Sequence, residues 1–136
     1  MSPPKNEESL HGGLQEQIEE YVVALQEGDL DRLLALFEPK AKIVSPLEGT
    51  KDPKTFYKHL LDVTQDSSIR LVQHFIGGSG WAAAYLKYDW TLTDGTRTRF
   101  EVMDLFRFGD DGRIKELKVF YDPARIRPAY EAIGNG

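Results

Sequence analysis

The sequence predicts an α+β domain, with helices first and a curved antiparallel sheet after them. Three observations carry that reading. Apolar residues recur at helical spacing between Leu14 and Val63, then at period two from Ile69 onward. Clusters of Gly and Asp cut the second half into strands of similar length. Helical segments followed by a strand meander are an α+β order. At 136 residues the chain makes one domain, expected over 13–134. Residues 1–12 carry prolines and charges and are expected to form a disordered tail.

The first helix is read from Leu14 to Leu25, where Leu14, Ile18, Tyr21, Val22 and Leu25 share one face. Glu16, Glu19 and Glu20 suit its early turns, and Gly28 ends it. Asp29 caps a second helix through Leu30, Leu33, Leu34 and Phe37, which Pro39 stops. Ala41 to Val44 reads as a short strand ending at Ser45-Pro46. Pro53 opens a third helix, whose stripe is Phe56, Leu60, Leu61 and Val63. Ile69–Ile76, Trp81–Leu92, Thr96–Phe108 and Ile114–Tyr121 read as long strands separated by glycine turns. The segment from Pro123 to Ile133 is expected to form a short helix.

Register follows from the apolar faces. Ala82, Ala84, Leu86, Tyr88, Trp90 and Leu92 form one face of their strand, and Phe100, Val102, Asp104, Phe106 and Phe108 one face of the next. A three-residue loop, Thr93 to Gly95, with a glycine bulge opposes Tyr88 to Phe100 and Leu86 to Val102. Asp104 then stands on an apolar surface, where ionisation is costly and a protonated carboxyl becomes a hydrogen-bond donor. Tyr21 is a second polar group on an apolar face. Each alone reads as a structural residue; as a pair they are able to converge on one ligand oxygen.

Composition narrows the function classes. A formal charge of -5 with both signs interspersed offers no footprint for nucleic acid. No apolar stretch is long enough to span a bilayer, and no secretory h-region opens the sequence. The absence of cysteine excludes disulfides and thiolate chemistry and fits a cytoplasmic protein. His11, His59 and His74 lack metal-ligand spacing, so no metal or other cofactor is expected. Gly77 to Gly80 precedes a strand and is not a phosphate loop.

The run Glu20-Tyr21-Val22-Val23-Ala24-Leu25-Gln26-Glu27-Gly28-Asp29-Leu30-Asp31, with Leu34-Ala35-Leu36-Phe37 after it, resembles the opening of bacterial ketosteroid isomerases. Val102-Met103-Asp104-Leu105-Phe106-Arg107-Phe108, followed by Asp111-Gly112-Arg113-Ile114, is similar to the same family. The resemblance spans Gln15 to Arg127, and its helix motif is shared by the wider nuclear-transport-factor-2-like (SnoaL-like, cystatin-like) superfamily. It implies a cone of three helices inside a curved antiparallel sheet, a homodimer through the outer sheet face and a pocket for a steroid or polyketide. Tyr21 and Asp104 match the two donors that hold the ligand oxygen, stabilising enolate charge as it develops. The expected lining is Leu25, Phe37, Phe56, Leu60, Leu86, Tyr88, Trp90, Phe100, Val102 and Tyr121.

The family's general base, an aspartate before a proline at the end of the first strand, is here Ser45. A serine hydroxyl does not take a proton from carbon near neutral pH without a base of its own. Glu48, His59 and His74 are the other titratable candidates; His59 is expected at an exposed helix position and His74, sharing a face with Arg70 and Val72, on the outer sheet surface. Three readings stand at this point: an enzyme acting on an enolisable carbonyl compound, a small-molecule-binding module without turnover, and a dimerisation domain with a vestigial pocket.

Overall fold

The first helix is closed where the sequence places its glycine. In the structure, a computed structural model that describes residues 7–134, α1 spans Glu7–Glu27 and Gly28 follows at φ +68°. The Gly28 N–H donates to the Leu25 carbonyl at 3.1 Å and the Asp29 N–H to that of Ala24 at 3.0 Å, the paired bonds of a Schellman ending. The helix begins at Glu7, so the later part of the expected tail is helical; residues 1–6 lie outside the described residues. Ile18, Tyr21, Val22, Ala24 and Leu25 are buried.

The next helix, α2 (Leu30–Ala35), starts from Asp29, whose carboxylate accepts from the Arg32 N–H at 3.1 Å. It is shorter than read. Phe37 and Pro39 belong to strand β1 (Phe37–Ser45) and not to the helix. The Leu36 carbonyl accepts from the Ile114 N–H at 2.8 Å, which draws the chain into the sheet at once. Pro39 is tolerated because the pairing slips between Phe37 and Lys42, where no ladder donor is required of it. A short β2 (Gly49–Lys51) pairs back on β1. Helix α3 (Pro53–Asp62) is capped by Asp52, which accepts from the Thr55 N–H at 3.0 Å.

Four further strands follow: β3 (Thr64–Ile76), β4 (Trp81–Leu92), β5 (Arg97–Phe108) and β6 (Ile114–Phe120). The sheet order is β2-β1-β6-β5-β4-β3. β1 runs parallel to β6, so the sheet is not wholly antiparallel as expected. The β4–β5 hairpin has the bulged register: Tyr88 faces Phe100 and Leu86 faces Val102, with Gly95 at φ +88°. β3 starts before Ile69, its polar opening residues pairing with the end of β4.

One face assignment is corrected. Leu71 pairs with Leu86 but Gln73 with Tyr85, so Val72 is an extra residue in β3. That bulge turns His74 to the side of Ala84, and Ala84 is opposite Asp104. His74 therefore shares the concave face, where it is half-buried, and is not on the outer surface.

After β6 a 3-10 turn (Pro123–Arg125) and α4 (Arg127–Gly134) fold back over one end of the sheet, supplying the short terminal helix that was expected. Ile126 is buried there with Val63, Trp90 and Leu92, apart from the main core between α1, α2, α3 and the concave face. Among the described residues no helix is long and apolar enough to cross a membrane.

Candidate functional site

α1, α3, the end of β1 and the concave face of β4, β5 and β6 enclose a cavity, and the segment after β6 forms one wall. The three expected chemical residues, Tyr21, Ser45 and Asp104, all line it. So do Leu25, Phe56, Leu60, Tyr88, Trp90, Phe100, Val102 and Tyr121. Two expected lining residues do not. Phe37 is buried against the rings of Tyr21 and Tyr57, at 6.4 and 5.7 Å between centroids, and Leu86 is fully buried in the core. Both belong to the packing behind the cavity wall.

The cavity has two polar ends. The inner one gathers Asp104, Tyr21, Tyr57 and Tyr88. Asp104 is only 1 % exposed, and its Oδ2 has no hydrogen-bond partner among the described residues. Burial among Val102, Phe106 and Ala84 pushes its carboxyl up from 3.8 to about 8, so the acid is protonated at neutral pH and has an O–H to donate. The Tyr21 and Tyr57 hydroxyls lie 2.7 Å apart in a buried hydrogen bond. Burial, with the neighbouring Asp104, also holds both phenols well above their ordinary range. This end is thus a set of neutral hydroxyl and carboxyl groups in an apolar shell.

The outer end is built by the turn between β1 and β2. Ser45 Oγ accepts from the Glu48 N–H at 3.2 Å and pins that turn. The Glu48 carboxylate accepts from the Tyr130 hydroxyl, and His59 Nε2 lies 3.5 Å from its Oε1. The His59 and Tyr130 rings meet edge to face at 5.6 Å. Partial burial pushes the Tyr121 phenol up to about 12, and burial with the Glu48 contact raises Tyr130 further. Thr64 ties the floor together, accepting from the Trp90 indole N–H at 2.8 Å and donating to the Leu60 carbonyl at 2.6 Å.

Sequence reasoning missed Tyr57 and Tyr130, and named Glu48 only as one of three alternative titratable candidates beside His59 and His74. The signal for Tyr57 was present: Pro53, Tyr57 and Leu61 recur every fourth residue, and Tyr57 is fully buried. Tyr130 lies in the terminal helix, and nothing in the sequence marks that position. Among the described residues no group of three or more His, Asp or Glu is placed to hold a metal ion.

The fold agrees with the comparisons to known proteins. The SnoaL-like domain family model matches residues 18–117. Among curated proteins none matches the sequence. Three solved structures illustrate the likeness in fold. The epoxide hydrolase/cyclase-like enzyme SalBIII of pyran ring formation in the polyether salinomycin is 18% identical with a TM-score of 0.75, over 85% of this chain and 95% of its own. TerC co-crystallised with polyporic acid is 18% identical with a TM-score of 0.76, over 88% and 98%. A protein from Catenulispora acidiphila DSM 44928 with a ketosteroid isomerase-like fold, in complex with trimethylamine, is 13% identical with a TM-score of 0.73, over 82% and 88%. The chain is a member of the SnoaL-like domain family, with the nuclear-transport-factor-2-like cone as its fold.

Proposed function

We propose that this protein takes up a small apolar molecule bearing a carbonyl or phenolic oxygen, of steroid or polyketide type, and holds that oxygen with Tyr21 and Asp104 in the manner of a ketosteroid isomerase. The observation that carries the reading is the orphaned Asp104 Oδ2 in the cavity wall. Leaving a buried polar group unpaired costs roughly 1–3 kcal/mol. A ligand oxygen that accepts from the Asp104 O–H removes that cost. In an enolisable ligand the same donor stabilises the charge that develops on oxygen as the carbon acid ionises. Two proteins of similar fold, the epoxide hydrolase/cyclase-like enzyme SalBIII and TerC co-crystallised with polyporic acid, favour a small organic ligand.

The cavity, about 70 Å³, is smaller than the ~150 Å³ of an engineered cavity that admits benzene. A ligand of several rings therefore enters by displacing the Ile126–Tyr130 wall, whose polar tie is the Tyr130–Glu48 hydrogen bond. A second reading, binding without turnover, is favoured by one observation: the position of the family's base holds Ser45.

Titration with equilenin, a phenolic steroid that mimics a dienolate, tests the site by absorbance and fluorescence. Saturable binding that Tyr21→Phe and Asp104→Leu each weaken about fivefold or more, about 1 kcal/mol, supports it. Binding indifferent to both substitutions, or no binding, refutes it.

A further inference from the structure

We propose that Glu48 is the proton acceptor of this cavity, standing in for the carboxylate that Ser45 replaces. The inference rests on the carbonyl-binding reading above and assigns it a reaction, proton abstraction from the carbon beside the carbonyl.

Among the described residues, the carboxyl groups in the cavity wall are Asp104 and Glu48. Asp104 keeps its proton, because the apolar shell around it penalises the charged form. The phenols that line the cavity hold theirs as well, and neither His59 nor His74 reaches the wall. Glu48 has a different setting. Its side chain is 22% exposed. Both of its polar contacts, from Tyr130 and toward His59, fall on Oε1. Oε2 makes no hydrogen bond among the described residues and is the oxygen left to act. Ser45 fixes the backbone of the same residue at 3.2 Å. The serine in the old base position thus becomes a positioning residue for a carboxylate three places further on.

The step balances within the site. A C–H bond next to the ligand carbonyl breaks, and the proton passes to the Glu48 carboxylate. The electron pair moves into the new carbon–carbon double bond, and the charge gathers on the oxygen facing Tyr21 and Asp104. Return of the proton to the same or a conjugated carbon regenerates Glu48. The two polar ends of the cavity divide the labour: neutral donors inside, an acceptor at the mouth.

The test is solvent exchange with the intact chain. 2-Tetralone, a compact enolisable ketone, is incubated with the protein in D2O and deuterium at its α-carbon is followed by proton NMR. Affinity is measured in parallel from protein fluorescence. The expected result is accelerated exchange that Glu48→Gln lowers by about a hundredfold or more, with affinity changed by less than about threefold. Glu48→Asp, which keeps a carboxylate on a shorter arm, retains an intermediate rate, and circular dichroism verifies that each variant is folded. Exchange equal in Glu48→Gln and wild type overturns Glu48 as the acceptor while leaving the binding reading intact. Binding of 2-tetralone without any exchange does the same. Failure of both 2-tetralone and equilenin to bind overturns the site reading and this inference with it.

Discussion

Replacing Asp104 with asparagine is expected to change how the stability of the domain depends on pH. In the folded chain the carboxyl titrates at about 8, against 3.8 for the unperturbed side chain, and burial is the cause. Between those values the folded chain holds a proton that the unfolded chain has released. Stability therefore falls as pH rises, by about 1.4 kcal/mol per pH unit for one proton. The Asp104 contribution is intact below about pH 4 and its loss is complete above about pH 8. At pH 7, about three units above 3.8, the cost is roughly 4 kcal/mol. That figure is an upper bound, because relaxation and water entry lower the cost of a buried charge. Asparagine carries no titrating group, so its variant lacks this slope. Urea unfolding of both proteins between pH 5 and pH 8, followed by tryptophan fluorescence, measures the difference. The stability of Asp104→Asn minus that of the wild type should grow by up to roughly 4 kcal/mol across the range. Since a domain of this kind is stable by about 5–15 kcal/mol, the effect is large. Parallel curves, differing by a constant within about 0.5 kcal/mol, would refute a protonated buried Asp104 and remove the inner donor from the site.

Three further contacts carry expected outcomes. Tyr57→Phe removes the partner of the Tyr21 hydroxyl at 2.7 Å and is expected to cost about 1–2 kcal/mol in urea unfolding. In a double-mutant cycle with Tyr21→Phe, a coupling near zero would show that the two hydroxyls do not interact. Tyr130→Phe breaks the tie from the terminal helix to Glu48; a bond of about 1 kcal/mol implies roughly fivefold faster equilenin association in stopped-flow fluorescence, and an unchanged rate would mean the mouth opens elsewhere. The outer sheet face carries Phe75, Met103 and Phe120, exposed by 52, 38 and 54%, with Met103 directly opposite Phe120. We propose that a second copy of the chain covers this patch, so Phe120→Glu is expected to shift the mass in analytical ultracentrifugation to the monomer; a wild type that is already monomeric disproves the interface.

Local periodicity explains what was legible. The bulged β4–β5 register could be read because one slip would bury Asp89 and expose the Tyr88, Leu86 and Ala84 face, and the buried set decides. The parallel pairing of β1 with β6 could not, since it joins residues about seventy positions apart and leaves no mark on either strand. Val72 shows a smaller failure of the same kind: a single unpaired residue reverses every face after it, and alternation in the sequence does not count that residue out.

The two ends of the cavity differ in the same respect. Tyr21 and Asp104 announced themselves because each is a polar residue breaking an apolar face, a conflict between local pattern and chemistry that marks functional positions. Glu48 broke no pattern. A carboxylate in an exposed turn is unremarkable, and the turn becomes a cavity wall only when Tyr130, 82 residues away, folds back onto it. The donors of the site are thus written in strands and helices, and its acceptor in a tertiary contact. The sequence, with Ser45 at the expected base position, leaves Glu48 as one candidate among three, and it is the contact of the C-terminal helix through Tyr130 that separates Glu48 from His59 and His74.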